Sequence, residues 1–321
     1  MFASVTPGRI GRRDGDAAIG VDVGGTKVAV GLIDAASLSL LTRTTIATRR
    51  DHGGEGVLRD TDTQLKKMAD EATRRGRRVV GVGLAVPEIV DLEGRITSGA
   101  VIPHWDELPV AETLGKIAPL RVEADVRAAA FAEAVLGAGR RLTYYVYLTV
   151  GTGISYSAVY KGRPVAGAHG GALNIGSSVL ADLPASGSGT QHLVLERIAS
   201  GHALVERYVA SGGTARRAED VLAAARHGDP LAASIVDEGA RTLGNAMALL
   251  VNLLDPEALI AGGGLGSADT TFWSTAVACA RCRMYSDTVR SLPILHAQLG
   301  ADAGVIGAGL VGLLGGVPRK T

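Results

Sequence analysis

The segment 18–34, AIGVDVGGTKVAVGLID, constrains the fold of this chain more than any other stretch. Two apolar, β-branched runs flank the polar insert DVGGTK, a pattern typical of two strands joined by a tight glycine turn. The unit partly recurs at 144–165, YYVYLTVGTGISYSAVYKGRPV, where a strand, a Gly-Thr-Gly turn and a second strand follow one another. The repetition predicts two similar lobes that face a cleft.

Strand and helix patterns alternate along the rest of the chain, which predicts an α/β protein. The 44 glycines and the low aromatic content, 4%, favour close packing of helices on sheets. Further strands are expected near 39–48, within 78–91 before the loop broken by Pro87, at the start of 120–139, at the start of 257–266, and at 293–297. Helices are expected at 56–75, in the Ala-rich part of 120–139 up to Gly137 or Gly139, over 191–211, 217–227 and 230–252, and around 271–286.

Three details of this pattern are open to a structural test. A glycine-rich loop is expected over 167–189, and a polar turn over 123–125. The apolar helix at 230–252 fits either a core position or a dimer face. The chain is predicted to consist of an N-terminal tail (1–16), an N-terminal lobe (17–123), a C-terminal lobe (124–300) and a C-terminal helix (301–321) that packs back on the N-terminal lobe.

Composition and charge exclude several classes of protein. The chain has 321 residues, of which 46% are hydrophobic and 20% charged, so it can bury a sizeable core. A formal net charge of only +1 gives no reason to expect a nucleic-acid or anionic-membrane partner. The sequence has no apolar run long enough for a membrane span, and the tail has no apolar signal-peptide core. With two cysteines and no disulfide framework, a cytoplasmic location is expected.

The polar insert of the first unit has the residues of a phosphate-binding turn. Gly24 and Gly25 permit close backbone approach and a positive φ, and their N–H groups, with the Thr26 hydroxyl and the Lys27 ammonium, suit phosphate oxygens. Asp22 adds a carboxylate that can hold Mg²⁺ through water. The alternatives are a plain glycine hairpin and a lysine that points to solvent.

Two more glycine turns follow buried strands. Gly151, Thr152 and Gly153 form a second candidate phosphate turn. Gly262, Gly263 and Gly264, within AGGGLG, form a third, where a flat adenosine could lie against backbone that carries no side chains. The sequence has no GxxxxGK[ST] loop, and its glycine turn does not lie in an early βαβ unit, so neither a P-loop nor a Rossmann site fits.

A set of seven motifs occurs in the order and spacing of the ROK family, and this chain resembles that family from residue 17 to about 315. The motifs are IGVDVGGTKVAVGLID, GVGLAVPEIVD, VEADVRAAAFAE, YLTVGTGIS, GAHGGALNIGS, LERIASGHAL and NLLDPEALIAGGGL. The resemblance implies a two-lobed actin/hexokinase-like (ribonuclease H-like) fold with the active-site cleft between the lobes. It also implies ATP and Mg²⁺ as cofactors, phosphoryl transfer to a sugar hydroxyl, and a homodimer.

The same resemblance implies a catalytic base. In ROK kinases the aspartate of an NDAN-like box takes the proton of the attacking hydroxyl, and Asp125 matches it in Ala124-Asp125-Val126-Arg127. A carboxylate at the start of a helix can stay ionised until it accepts that proton. The alternative is that Asp125 only caps the helix that follows. Ala124 and Arg127 replace the two asparagines of the box.

The acceptor and zinc motifs depart further from the family. Asn174 and Ser177 stand where the family has the glutamate and the histidine of ExGH. The zinc loop aligns with GSGTQHLVLE, in which Gly187, Gly189 and Val194 occupy the positions of the three cysteines. Because all four zinc ligands are replaced, no structural zinc is expected.

The cysteine pair Cys279-x-x-Cys282 is not expected to replace that zinc site, because it lies in a predicted helix without a second pair of ligands.

Several polar residues are candidates for new acceptor contacts. His104, Arg127 and His169 can serve as such contacts or belong to the surface or the framework. Pro87 and Glu88 stand where the family prefers Pro-Gly, and Glu88 either lines the cleft or faces water.

The predicted function is ATP-dependent phosphorylation of a hydroxyl, of the primary 6-type, on a sugar, an amino sugar or a sugar-like cyclitol. A non-catalytic sugar-binding protein is the alternative. A transcriptional regulator fits less well, because the family's repressors carry a winged-helix domain before the first glycine turn, where this sequence has about 16 residues.

Overall fold

The computed structural model describes residues 13–184, 190–268 and 270–314, and these residues divide into two compact units. The first unit contains the described residues up to Thr143, together with Ser157–Ala172 and the segment that begins at Ala301. The second unit contains Tyr144–Tyr156 and Leu173–Gly300. The boundary predicted between residues 123 and 124 therefore falls inside the first unit.

Eight strands and α-helices precede residue 137 in the described part of the chain. They are β1 (Asp16–Val23), β2 (Lys27–Asp34), β3 (Leu40–Ala47), α1 (Gly53–Arg74), β4 (Arg78–Val86), α2 (Val110–Leu114), β5 (Leu120–Ala124) and α3 (Asp125–Leu136). The remaining elements are β6 (Tyr144–Val150), β7 (Ile154–Tyr160), β8 (Arg163–Pro164), β9 (Val179–Pro184), β10 (Thr190–Val194), α4 (Glu196–Ala199), α5 (Gly201–Ala210), α6 (Ala218–Arg226), α7 (Pro230–Leu254), β11 (Ala258–Gly262), α8 (Gly263–Gly266), α9 (Thr271–Arg283), α10 (Asp287–Arg290), β12 (Ile294–His296) and α11 (Ala303–Leu313).

The first unit is built on a sheet of order β3-β2-β1-β4-β5. Strands β1, β2 and β3 pair antiparallel as a meander, whereas β4 pairs parallel to both β1 and β5. Helix α1 packs on β1 and β2, and α11 packs on β1, β4 and α3. Asp16, which the sequence assigned to the tail, lies in β1, and residues 1–12 and 315–321 are outside the described part of the chain.

Glycines bring α11 unusually close to this sheet. Gly31, Gly20 and Gly83 lie side by side on three neighbouring strands. A Cβ on Gly20 would lie 2.0 Å from the Val305 carbonyl oxygen, and one on Gly83 would lie 1.7 Å from that of Ala308. The helix backbone therefore rests directly on the sheet backbone, which is why a chain with few aromatic residues packs tightly here.

The second five-stranded sheet has the order β12-β11-β6-β7-β8, with β6, β11 and β12 parallel. In the second unit, α7 packs against α9, where a Cβ on Gly244 would lie 2.5 Å from the Ala276 carbonyl oxygen. Most apolar residues of α7, among them Leu243 and Met247, are buried in the core of this unit. Of the two positions that the sequence allowed for this helix, the core is the main one.

Three secondary-structure predictions are wrong. The segment predicted as loop over 167–189 contains β9, and the helix predicted from residue 191 begins only at Glu196. The residues before it form β10, which pairs antiparallel with β9 in a separate two-stranded sheet. Hydrogen bonding to β9 makes this polar stretch a strand, and no local pattern reveals that partner. The polar turn predicted over 123–125 is also absent, because β5 runs directly into α3.

The helices in the described part of the chain include none with both the length and the apolar character needed to cross a membrane.

Candidate functional site

The turn between β1 and β2 is held by hydrogen bonds within the chain. The Gly24 N–H donates to the Lys27 carbonyl (2.8 Å), and the Thr48 hydroxyl donates to the Gly24 carbonyl (2.7 Å). Among the described residues, no acceptor takes the N–H groups of Gly25 and Thr26. Neither Gly24 nor Gly25 has a positive φ, so that expectation is wrong. The groups of this turn that remain for binding an anion are the N–H groups of Gly25 and Thr26 and the ammonium of the exposed Lys27. The Gly24 N–H already donates to the Lys27 carbonyl.

Asp22 precedes this turn, and its carboxylate lies against the first turn of α11. A Cβ on Gly304 would lie 2.3 Å from Asp22 Oδ2, so only glycine leaves room for the carboxylate at that position. Burial raises the pKa of Asp22 to about 6, and the Lys27 ammonium opposes the rise. No donor among the described residues hydrogen-bonds the carboxylate, which is a suitable environment for a water-bridged cation.

Asp125 is the first residue of α3, and Ala124, with extended backbone, is the N-cap. The alternative that Asp125 is the N-cap is therefore wrong. Asp125 Oδ1 accepts the Val126 N–H at 2.6 Å. Burial first, and then the like charge of Asp22, raise the pKa of Asp125 to about 7, while the Val126 N–H and Arg127 lower it and Glu88 raises it. A carboxyl group with a pKa near neutrality suits proton abstraction at physiological pH.

Arg127 and its ion-pair partner Glu123 have side chains that are only 1% and 2% exposed. The guanidinium donates from Nε to Glu123 Oε1 (2.6 Å), from Nη1 to the Gly170 carbonyl (2.6 Å) and from Nη2 to the Val90 carbonyl (2.7 Å). Arg127 was a candidate for contact with the acceptor, but all three nitrogens of its guanidinium donate hydrogen bonds to groups of the protein.

Glu88 is buried and does not face water. Its carboxylate accepts the Ser98 hydroxyl (2.6 Å) and the N–H groups of Ala100 (3.0 Å), Val101 (2.8 Å) and Ile102 (2.7 Å). Four donors saturate the two oxygens, so this residue shapes the segment that follows the loop after β4.

The other candidate acceptor residues lie nearer the surface. His104 is exposed, has a positive φ of 62° and faces Glu107 at 3.5 Å. Pro87 is half-buried and His169 is exposed, both in the first unit. Asn174 and Ser177 are exposed in the second unit. In the first unit, Asp22, Glu88 and Arg127 therefore lie within electrostatic range of Asp125.

In the second unit, the turns after β6 and β11 lie beside each other. Gly262 pairs with Thr149 in the parallel ladder, so both strands end at the same edge of the sheet. Gly263 has a φ of 78°, and a Cβ there would lie 2.4 Å from the Val150 carbonyl oxygen. The Gly151 carbonyl accepts the Gly201 N–H of α5 at 2.7 Å. Two of the predicted turns are thus neighbours.

Sequence reasoning missed Glu196, the last residue of the segment aligned with the zinc loop. Its Oε2 accepts the Ile154 N–H at 3.0 Å, and a Cβ on Gly153 would lie 2.7 Å from that oxygen. The half-buried carboxylate therefore lies against the Gly151–Gly153 turn. The sequence signal for Glu196 was that the aligned segment keeps its glutamate although its three cysteine positions are replaced.

The described residues contain no cluster of three or more His, Cys, Asp or Glu side chains arranged to hold a metal. Gly187 and Gly189 lie outside the described residues, and Val194 ends β10. Cys279 is buried in α9, with its thiol 3.4 Å from the Arg241 carbonyl, and Cys282 is exposed.

Comparison with known proteins decides the family. The ROK family model matches residues 18–312. The chain belongs to the ROK family. It is 28% identical to a glucokinase of Halalkalibacterium halodurans, over 91% of this chain and 93% of that protein. It is also 28% identical to the N-acetylgalactosamine kinase AgaK of a Shewanella species, over 91% of this chain and 96% of that protein.

A solved structure confirms the fold class. The ROK family glucokinase of Streptomyces griseus, in complex with glucose and AMPPNP, matches with a TM-score of 0.75 and 29% identity, over 92% of this chain and 99% of that one. This ROK chain therefore has the α/β fold of the family's kinases.

Proposed function

We propose that this ROK protein transfers the γ-phosphoryl group of ATP to a hydroxyl, of the primary 6-type, on a sugar, an amino sugar or a sugar-like cyclitol. The observation that carries the proposal is Asp125, a half-buried carboxyl that pairs directly with no cationic side chain among the described residues and whose pKa is raised to about 7. A glucokinase and an amino-sugar kinase among the relatives support the reaction class.

The residues around Asp125 fit a base. Because Oδ1 already accepts the Val126 N–H, Oδ2 is the atom that would take the acceptor's hydroxyl proton. The developing alkoxide would then attack the γ-phosphorus, and the bond to the bridging oxygen would break. Burial of Asp125 limits competing water and keeps its basicity near neutrality.

The groups for the phosphoryl donor are divided between the units. Asp22, Gly25, Thr26 and Lys27 belong to the first unit, and the turns at Gly151–Gly153 and Gly262–Gly264 belong to the second. Asp22, whose carboxylate accepts no hydrogen bond from any residue that the structure describes, would hold Mg²⁺ through water, and the ion would neutralise charge on the phosphates. Lys27, exposed beside the turn, would screen the same charge.

The acceptor is proposed to differ from glucose in its pattern of functional groups. Asn174 and Ser177 are neutral, so they would not bind sugar hydroxyls as a carboxylate and an imidazole do. An amino sugar or a cyclitol would account for the changed contacts while the base is retained.

A panel of hexoses, amino sugars and cyclitols, assayed for ATP consumption and phosphorylated product, tests the proposal. Asp125→Asn should lower kcat by about 100-fold to 10,000-fold, because it removes the proton acceptor. Affinity for AMPPNP, measured by calorimetry, should stay within about twofold. The matched control, Asp51→Asn, changes an exposed aspartate of the same unit.

Phosphorylation of no acceptor by the unmodified chain would contradict the proposal, as would an Asp125→Asn variant of unchanged kcat. Sugar binding by calorimetry without turnover would support the non-catalytic alternative, which the altered acceptor residues favour.

A homodimer is the proposed assembly. Leu249, Leu253 and Tyr285 are 42%, 71% and 90% exposed. They lie together, because Asn252 on the same helix hydrogen-bonds both the Arg283 carbonyl and the Tyr285 N–H. We call these three residues the α7 patch and propose that it meets a second copy of this chain.

A further inference from the structure

The buried guanidinium of Arg127 joins three segments of the first unit that are far apart in the sequence. Its partners are Glu123 at the end of β5, Val90 in the loop after β4, and Gly170 in the glycine-rich segment after β8. The two carbonyls are also close to each other, because a Cβ on Gly170 would lie 2.1 Å from the Val90 oxygen. Arg127 therefore closes a joint between α3 and two loops.

The chemistry of this joint requires arginine. A guanidinium is planar and presents donors in several directions, whereas a lysine ammonium is a point charge that cannot match three separated acceptors. The ion pair with Glu123 gains little net stability, because burying both charges costs about as much as their attraction returns. The main effect of the buried guanidinium is on geometry, because its hydrogen bonds fix the positions of the Val90 and Gly170 carbonyls.

The two loops flank candidate acceptor residues. Pro87 and Glu88 precede Val90, and His169 precedes Gly170. Asp125 lies two residues before Arg127 in the same first turn of α3. One side chain thus sets the distance from both loops to the helix that carries the base.

We propose that Arg127 is a positioning residue for the acceptor side of the site, holding the loops that contain Val90 and Gly170 in register with Asp125. The inference rests on the proposed function and adds a role for the arginine of the substituted box. Arg127 itself touches no substrate.

The first test is amide hydrogen exchange, which needs no substrate. Two reporters are the Asp91 N–H, bonded to the Arg95 carbonyl (3.0 Å), and the Ala172 N–H, bonded to the Ala166 carbonyl (3.1 Å). The double variant Glu123→Gln/Arg127→Met avoids leaving an uncompensated buried charge. Both reporters should exchange about tenfold faster or more, equivalent to losing one charge-assisted hydrogen bond.

Two further variants separate geometry from charge. Arg127→Lys keeps the cation and should still accelerate exchange at both reporters. Arg78→Met is the matched control, since Arg78 binds the buried Asp16 at the opposite end of the same sheet, 2.7 Å away. It should leave both reporters unchanged.

The second test is kinetic. The double variant and Arg127→Lys should raise KM for the acceptor by about tenfold or more, with KM for ATP within about twofold, because the joint holds only acceptor-side loops. Unchanged exchange at both reporters, full rescue by lysine, or an equal rise in both KM values would overturn the inference.

Failure of the proposed function gives a different result. The unmodified chain would then phosphorylate no acceptor, and the role of the joint in positioning an acceptor would fall with that function. An active chain whose variants keep the original acceptor KM would overturn only the role of Arg127.

Discussion

Asp22 and Asp125 are two carboxyl groups whose placement favours chemistry over stability. Burial raises the pKa of both, and the charge of Asp22 raises that of Asp125 further. Within the part of the chain that the structure describes, neither carboxylate forms an ion pair, although the charges of Lys27 and Arg127 lower the pKa of Asp22 and of Asp125, respectively. Ionising both carboxyls in the folded chain therefore costs free energy, which a bound cation would return.

This cost predicts the pH dependence of stability. The folded-state pKa of Asp125, about 7, exceeds its ordinary value of 3.8, so the folded state binds the proton more tightly. The unmodified chain should therefore lose stability as pH rises from about 4 to about 7. Asp125→Asn removes the ionisation and should be more stable than the unmodified chain at pH 8, on the order of 1 to 3 kcal/mol, with a smaller difference at pH 5.

Thermal unfolding without nucleotide or magnesium measures the difference, with Asp51→Asn as control. A difference that grows as pH falls would show that the sign is wrong.

At the scale of elements, the contact between α11 and the first sheet is the least tolerant of change. Gly20 and Gly83, on neighbouring strands, face the backbone of α11, so a methyl group at either position has no space to occupy. Relief would require α11 to move, and with it Gly304, which makes room for the Asp22 carboxylate. The packing of α11 on the sheet and the geometry of the turn between β1 and β2 are therefore coupled.

Gly83→Ala should lower the free energy of unfolding by about 3 kcal/mol or more, because its Cβ would overlap the Ala308 carbonyl. The matched control is Gly264→Ala, where a Cβ has no neighbour within 4 Å. The control should change stability by at most about 1 kcal/mol. Urea unfolding of the two variants gives the comparison, and equal midpoints would contradict the close approach of helix and sheet.

Strand β10 lies in the segment that aligns with the family's zinc loop, and it pairs with β9. In this ladder Asp182 is opposite His192, and the imidazole is 2.6 Å from the carboxylate. The pair is exposed and adds little stability by itself, so the ladder supplies most of the local order.

A chelator should therefore leave the protein folded. Incubation with EDTA followed by its removal is expected to change Tm by less than about 1 °C, since the positions of the family's zinc ligands hold Ser177, Gly187, Gly189 and Val194, whose side chains do not bind zinc. Elemental analysis of the purified chain supplies the complementary measurement. Stoichiometric zinc, with a lower Tm after chelation, would refute the expectation.

At the scale of the whole molecule, each unit has its own share of the predicted nucleotide and acceptor residues. The α7 patch belongs to the second unit. A self-associating chain should have twice its 32.8 kDa mass in solution, which light scattering after size exclusion measures directly.

Leu253→Lys should shift that mass toward the monomer, because a charge would have to be buried at the interface. The control Val165→Lys, at another exposed apolar residue, should leave the mass unchanged. A monomer at micromolar concentration would contradict the dimer, and a dimer that resists Leu253→Lys would exclude the α7 patch.

The sequence by itself determined the features that depend on neighbouring residues. Alternating apolar residues and glycine turns predicted β1, β2, β6 and β7, and helical spacing predicted α1 and α7, because local sterics and periodicity control them. The family and the position of Asp125 also followed from motifs. The hairpin at β9 and β10 did not, because a strand depends on a partner that the local sequence does not reveal.

Only the tertiary structure decided what the polar side chains do. Arg127 looked like a contact for a ligand, yet its guanidinium binds carbonyls 37 and 43 residues away. Glu88 looked like a residue of the cleft or the surface, yet its carboxylate accepts hydrogen bonds from the backbone N–H groups of residues 100–102. The physical reason is that a buried charge must find its partners in space, and folding chooses those partners without regard to their distance along the chain.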